Sequence, residues 1–308
     1  MKKIIVVTGG AGFVGSNLIS FLLKKTDLDI ISIDNYSSGN TNNHINSKRV
    51  KYIKGKTSQI KKILKSKEKN INSIFHFGEF SRIYQSFNNF NECFESNIVG
   101  SKEVFKFCLD HKIKLIYSAT SATLGSNGND KNLSPYAFTK SNNLELLENL
   151  KKWFKFKFEI IYFYNVYGKG QIECGPMATV IGIFQKQYKD NKPLTIVKPG
   201  NQTRRFTHIN DTIRICYKAW KINKCQHYSI SHKKSFSIKD VAKMFKTKCI
   251  YIPARLGERY ASALTYMSYK QSYLHLIMQK KFQTEKSLHL LEILVAAKQL
   301  LAKDSLKV

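Results

Sequence analysis

Five short apolar runs punctuate the first half of the chain: Ile4 to Val7, Ile30 to Ile33, Ile74 to Phe77, Leu115 to Tyr117 and Ile160 to Phe163. Runs of this length with little polar alternation predict strands buried on both faces, as in a parallel sheet. The intervening stretches are long enough for crossover helices. Two of them carry helical spacing, Val14, Leu18 and Leu22 in one, and Leu144, Leu147, Leu150 and Phe154 in the other. The pattern predicts an α/β fold whose first domain, residues 1–167, is a doubly wound parallel sheet. Beyond about Gly168 the alternation fades and Gly, Pro and basic loops increase. A smaller C-terminal substrate lobe over 168–308 follows, partly interleaved through a return segment near 203–230. Ligands then belong at the carboxyl ends of the strands, between the lobes. Leu291, Leu294, Lys298 and Leu301 share one helical stripe beside Leu290 and Ala297, which predicts a packed C-terminal helix.

Directly behind the first run stands Thr8-Gly9-Gly10-Ala11-Gly12-Phe13-Val14-Gly15-Ser16. Gly10, Gly12 and Gly15 spell GxGxxG between a strand pattern and a helix pattern. Missing side chains there let backbone N–H groups and a helix N-terminus approach a pyrophosphate, so Gly9 through Gly15 are candidate cofactor ligands in a Rossmann-type domain. Asp34 ends the second strand pattern, about 20 residues further on, with Asn35 beside it. A carboxylate at that place accepts hydrogen bonds from an adenosine ribose and repels a 2′-phosphate. The cofactor predicted is NAD rather than NADP.

Tyr136 and Lys140 sit four residues apart in Ser134-Pro135-Tyr136-Ala137-Phe138-Thr139-Lys140, at the start of a helix pattern. Both can face one side. A free phenol titrates near about 10, too high for an efficient base at neutral pH, and a neighbouring ammonium favours its phenolate. The pair is therefore a candidate catalytic couple.

Composition adds less. The chain has 308 residues, and Lys+Arg 51 against Asp+Glu 21 leaves a formal charge of +30. The lysines are dispersed from Lys2 to Lys307, which argues against a dedicated nucleic-acid surface while still drawing an anionic substrate inward. Cys93, Cys108, Cys174, Cys216, Cys225 and Cys249 show no CxxC spacing, so neither a metal site nor a disulfide framework is expected. No stretch approaches the roughly 20 apolar residues of a membrane span. Lys2 and Lys3 precede too short an apolar run for a signal peptide. A cytoplasmic location is expected.

Taken together, these motifs resemble the extended short-chain dehydrogenase/reductase family, in particular its NAD-dependent nucleotide-sugar epimerases and dehydratases. The resemblance spans roughly residues 2–260 and includes Phe75-His76-Phe77, Asn97-Ile98-Val99-Gly100, Tyr117 to Gly125, Tyr164-Asn165-Val166-Tyr167-Gly168, Arg204 to Asp211 and Arg255-Leu256-Gly257-Glu258. It implies that Tyr136 is the base, that Lys140 holds the nicotinamide ribose, and that the Thr120 hydroxyl shares the sugar proton. It places Phe77, Gly78 and Asn97 near the cofactor. Asn165, Arg204, Arg255 and Glu258 fall to a nucleotide-diphosphate sugar, the arginines gripping its phosphates. It also implies a homodimer.

Family dehydratases follow the active-site hydroxyl with Asp and Glu, whereas Ser121 and Ala122 stand here. Without those carboxylates, removal of water loses its acid and base. What the resemblance then implies is epimerisation, most simply at C4 of a UDP-hexose, with hydride lent to NAD and returned to the opposite face of a keto-sugar. A nucleotide-sugar dehydrogenase, reductase or dehydratase and an NAD-binding regulatory scaffold are the alternative readings. Departures from the family pattern are Lys56, where an acidic residue near adenine is usual, Tyr162, Lys169, Arg205 and the C-terminal segment after the Arg255 region. Glu79 is another, standing where a small residue is usual. It is expected either to touch cofactor or sugar, or to pair with Arg82.

Overall fold

The computed structural model describes residues 3–232 and 234–257, without the side chains of 125–129. Glu258 and the C-terminal helix expected around Leu291 lie outside the described residues.

Strand β1 (Ile4–Thr8) lies inside a seven-stranded parallel sheet. Its neighbours are β2 (Asp29–Asp34) and β4 (Ile71–His76). Outside them lie β3 (Val50–Lys54) on one side and, on the other, β5 (Lys114–Thr120), β6 (Phe158–Phe163) and the strand His227–Ser229. Alternate side chains leave opposite faces of a strand, and β1 shows this directly. Val6 joins one core with Ile31, Ile74, Leu115 and Tyr117, while Ile5 and Val7 join the other with Ile30, Phe75, Ile116 and Ile161.

Helix α1 (Phe13–Lys25) covers the second core, seating Leu18, Ile19 and Leu22 with no exposure. Each such residue contributes roughly 1.5–3 kcal/mol of burial. On the opposite face, the helix Pro135–Phe154 presents Leu147 fully buried, with Leu144 and Leu150 partly so. Phe154, expected on the same stripe, is instead 58 % exposed. It is the last helical residue before Lys155 turns left-handed, and there the helix has passed the edge of its core.

Two strands carried no strong apolar run. β3 reads Val50-Lys51-Tyr52-Ile53-Lys54, a half-buried edge with lysines on it, and the strand at His227 has three residues. The latter reaches the sheet because the helix Ile209–Ile222 returns to pack on α1, where the rings of Phe21 and Tyr217 lie 5.3 Å apart. The remaining elements make a separate small core of Tyr167, Ile181, Phe184, Leu194, Ile196, Phe206, Ile238 and Val241. This second lobe overhangs the carboxyl ends of the parallel strands. The sheet order reverses direction between β1 and β4, so a crevice opens there.

Candidate active site

The crevice is a cleft of ≈ 450 Å³ walled by both lobes, inside the range of about 300–1,000 Å³ that small-ligand sites occupy. Its floor begins with the glycine loop. Gly9 is left-handed at φ +70, and its N–H donates to Ile33 O at 2.8 Å. A Cβ on Gly15 would stand 2.1 Å from Gly9 O, so the first turn of α1 and the loop touch backbone to backbone. Gly12 caps α1 with no side-chain hydrogen bond, and no acidic residue occupies the first turn. The N–H groups of that turn have no intrahelical acceptor. Because Gly12, Phe13, Val14 and Gly15 line the cleft, this bare helix end fits a pyrophosphate.

Asp34 lies at the carboxyl end of β2, where Oδ2 accepts from Ala11 N at 2.9 Å and Oδ1 from Tyr36 N at 2.8 Å. Each carboxylate oxygen keeps a lone pair for a ribose hydroxyl. Asp34 and Asn35 also border an adjoining hollow with Lys56 and Thr57, the end at which an adenine would sit. Lys56 there faces Glu95 at 3.8 Å.

Gly10 and Ala11 do not line the cleft. A Cβ on Gly10 would strike Ser32 Oγ at 2.3 Å, and Ala11 O accepts from Asn40 N at 3.0 Å and Asn43 Nδ2 at 2.8 Å. These two residues shape the loop from behind. Asn97, expected at the cofactor, is fully buried beneath it: Oδ1 accepts from Phe80 N at 2.7 Å, and Nδ2 donates to Phe80 O and Thr139 Oγ1, both at 3.1 Å. Its amide is spent on holding the segment after β4, which in turn carries Phe77 and Gly78 into the cleft wall.

The other side of the floor belongs to the helix Pro135–Phe154. Ser134 caps it, accepting from Ala137 N at 3.1 Å, and Pro135 suits its first turn. Tyr136 and Lys140 follow on the face toward the cleft, both buried and both lining it. Thr120 ends β5 beside them. Its Oγ1 accepts from Ala122 N at 3.1 Å, which leaves the hydroxyl proton to donate.

Lys140 is not a lone cation. Its Nζ pairs with Glu79 and also donates to the Ser118 carbonyl, while the Tyr117 ring centroid lies 4.5 Å away. Burial pushes the ammonium below its ordinary pKa and Glu79 pulls it back up. Pairing of Glu79 with Arg82, one of the expectations, does not occur. Arg82 reaches across to the second lobe instead, its Nε donating to Met177 O at 2.9 Å. Under the loop, His76 bridges Thr8 Oγ1 at 2.8 Å and Ser101 Oγ at 2.9 Å, and desolvation pushes its pKa down to about 4.

The far end of the cleft is lined by Asn165, Arg204 and Arg255. Asn165 donates to Arg205 O at 2.9 Å, leaving its side-chain oxygen as an acceptor. The guanidinium of Arg255 sits 5.5 Å over the Tyr84 ring. Gln202, Thr179 and Ile181 complete this wall without having been singled out in the sequence. No periodicity or motif marks them, because they converge from two separate segments, the start of the helix Val180–Lys189 and the loop at Gln202.

Comparison with known proteins agrees with this geometry. The family model described as "NAD dependent epimerase/dehydratase family" matches residues 5–231. A Bacillus subtilis protein named as an uncharacterized UDP-glucose epimerase is 30% identical over 229 residues, covering 68% of this chain and 70% of its own length. The ADP-L-glycero-D-manno-heptose-6-epimerase of Brachyspira hyodysenteriae is 30% identical over 226 residues, with 68% and 70% covered. Among solved structures, the UDP-glucuronic acid 4-epimerase of Bacillus cereus, in complex with UDP-glucuronic acid and NAD, superposes with a TM-score of 0.75 at 26% identity, covering 88% of this chain and 92% of that one. With the glycine loop, Asp34 and the Tyr136/Lys140 pair meeting in one cleft, the chain belongs to the NAD-dependent epimerase/dehydratase family, and NAD is its cofactor.

Proposed function

We propose that the protein interconverts epimers of a nucleotide-diphosphate sugar, acting at C4 of a UDP-hexose. The observation that carries this reading is the inventory of carboxylates. Among the described residues lining the cleft, Asp34 and Glu79 are the acidic ones. Asp34 stands at the ribose end, and Glu79 is paired with Lys140. Beside Thr120 the lining residues are Ser121 and Ala122. Dehydration needs an acid and a base at the sugar, and neither carboxylate is placed for that work. Epimerisation needs one proton acceptor and a loosely held ring, which Tyr136 and the polar Thr120 and Asn165 supply.

Bound NAD would take hydride from the sugar carbon and return it. Tyr136, held as phenolate by the Lys140 ammonium, accepts the proton of the same carbon's hydroxyl, and Thr120 donates to that oxygen. Arg204 and Arg255 anchor the diphosphate, which lets the sugar turn without loss of the nucleotide. Purified protein incubated separately with UDP-, dTDP-, GDP- and ADP-sugars should yield the C4 epimer of a UDP-hexose by chromatography, with no net reduced cofactor released. Stoichiometric reduced NAD, or a keto-deoxy product, would replace this reading with a dehydrogenase or a dehydratase.

A homodimer is part of the same proposal. Phe90, Phe94 and Phe138 form a stacked strip across two helices, with centroid separations of 4.4 and 6.1 Å, and Phe90 and Phe138 are 50% and 40% exposed. Light scattering should give twice the 35.5 kDa chain mass, and Phe138→Glu should halve it. A monomeric wild type would end the proposal.

A further inference from the structure

Glu79 lines the cleft beside Lys140, and the reaction above does not use it. Its side chain is 2% exposed. A carboxylate so placed is tolerated only with partners for its charge and lone pairs. Besides Lys140 on Oε2, Oε1 accepts from Ser101 Oγ at 2.9 Å, Tyr117 OH at 3.0 Å and Asn143 Nδ2 at 3.1 Å. Four donors from three elements therefore define where this carboxylate lies. Lys140 spends two of its three N–H bonds on Glu79 and the Ser118 carbonyl, so one is left for a ligand.

We propose that Glu79 is a positioning residue: by pairing with Lys140 it pins the ammonium to the cleft floor and offsets its pull on Tyr136, which places the acid limb of activity at a higher pH than Lys140 alone would. The inference rests on Tyr136 acting as the base.

Among the described residues, several titratable or charged groups surround Tyr136. Lys140 lies one turn along its own helix. Arg82 and Glu79 come from the segment after β4, Tyr117 from β5, and Cys93 from the helix Phe90–Phe94, with His76 behind them. Burial raises the Tyr117 phenol well above its ordinary value and the Cys93 thiol to about 11, while His76 falls to about 4. Among the described residues, the charged side chains of this set are the Lys140–Glu79 pair and Arg82.

The sign follows. Removing the Glu79 charge takes a negative neighbour from the Tyr136 phenolate and leaves the Lys140 ammonium unopposed, still held by the Ser118 carbonyl and the Tyr117 ring. Tyr136 then loses its proton at lower pH. One unit charge about 10 Å away, with an effective dielectric near about 20, shifts a titration by about one pH unit.

The test compares wild type with Glu79→Gln, Glu79→Ala and Glu79→Asp, each checked for fold by circular dichroism and bound NAD. Two quantities are read: the ultraviolet titration of the Tyr136 phenolate without sugar, with Tyr136→Phe as blank, and the pH profile of sugar interconversion. Glu79→Gln should lower both midpoints by about one unit, and Glu79→Asp should restore them; Glu79→Ala gives the same direction where the amide does not fold. An unmoved phenolate midpoint overturns the role of Glu79 whatever the turnover. A shifted midpoint in proteins that interconvert no nucleotide-sugar upholds it, and overturns the epimerase reading instead.

Discussion

Tyr136→Phe is expected to lower sugar interconversion by about 10²–10⁴-fold, the range that a positioned acid–base group contributes, while NAD remains bound. The argument is one of subtraction. The Tyr136 ring packs in a small buried cluster with Phe80, Cys93, Ala122 and Ala137, and phenylalanine keeps that ring. Its backbone N–H, which donates to Ser86 Oγ at 3.2 Å, is likewise untouched. What disappears is the phenolic oxygen, the atom proposed as the base. Steady-state rates on the responsive sugar, together with the ratio of NAD to protein after purification, separate lost chemistry from lost cofactor. Turnover within tenfold of wild type would remove Tyr136 from its assigned role.

The second large effect belongs to the glycine loop. Gly15→Ala should weaken NAD binding by at least about 100-fold, equivalent to about 2.7 kcal/mol. A Cβ at Gly15 meets Gly9 O at 2.1 Å and Gly10 Cα at 2.8 Å. Both are backbone atoms, so neither can rotate away as a side chain would. The loop must lift from α1, and the N–H groups aimed at the pyrophosphate move with it. Overpacking of this kind costs typically about 1–3 kcal/mol in the protein without ligand as well. Gly12→Ala makes a useful contrast, since its Cβ would meet Gly9 O at 3.2 Å, a contact that small shifts relieve. Calorimetric titration with NAD and thermal melts of both variants check the difference. Equal affinities for Gly15→Ala and wild type would show that the loop is not the phosphate cradle.

Much of the site could be read from residue order because its parts are local. A strand, a glycine turn and a helix start within about a dozen residues form one βα unit, and the four-residue separation of Tyr136 and Lys140 on a helix puts both on one face. Thr120 and Asp34 are legible for the same reason, each closing a buried strand at the end where the crevice opens. Gly10, Ala11 and Asn97 mark the limit. Their residue types suit a cofactor site, yet each is committed behind it: Gly10 against Ser32, Ala11 to Asp34 and Asn43, and Asn97 to Phe80. A motif names the loop but does not say which of its atoms face the ligand.

Glu79 shows the limit more sharply. As a sequence feature it was an acidic residue in a place for a small one, with Arg82 three positions away as an available partner. Its real partner, Lys140, is 61 residues distant, and the donors that share it lie on β5, on the helix Ser101–Asp110 and on the helix Pro135–Phe154. Local pattern and spacing determined five of the seven sheet strands, the dinucleotide loop, the choice of NAD and the candidate Tyr136/Lys140 couple, since each depends on neighbours within a turn, a strand or one βα unit. The tertiary structure decided which of those groups reach the cleft and how the charge of Lys140 is balanced. Burial and ion pairing depend on elements that meet only when the sheet is assembled, and no spacing along the chain records that meeting.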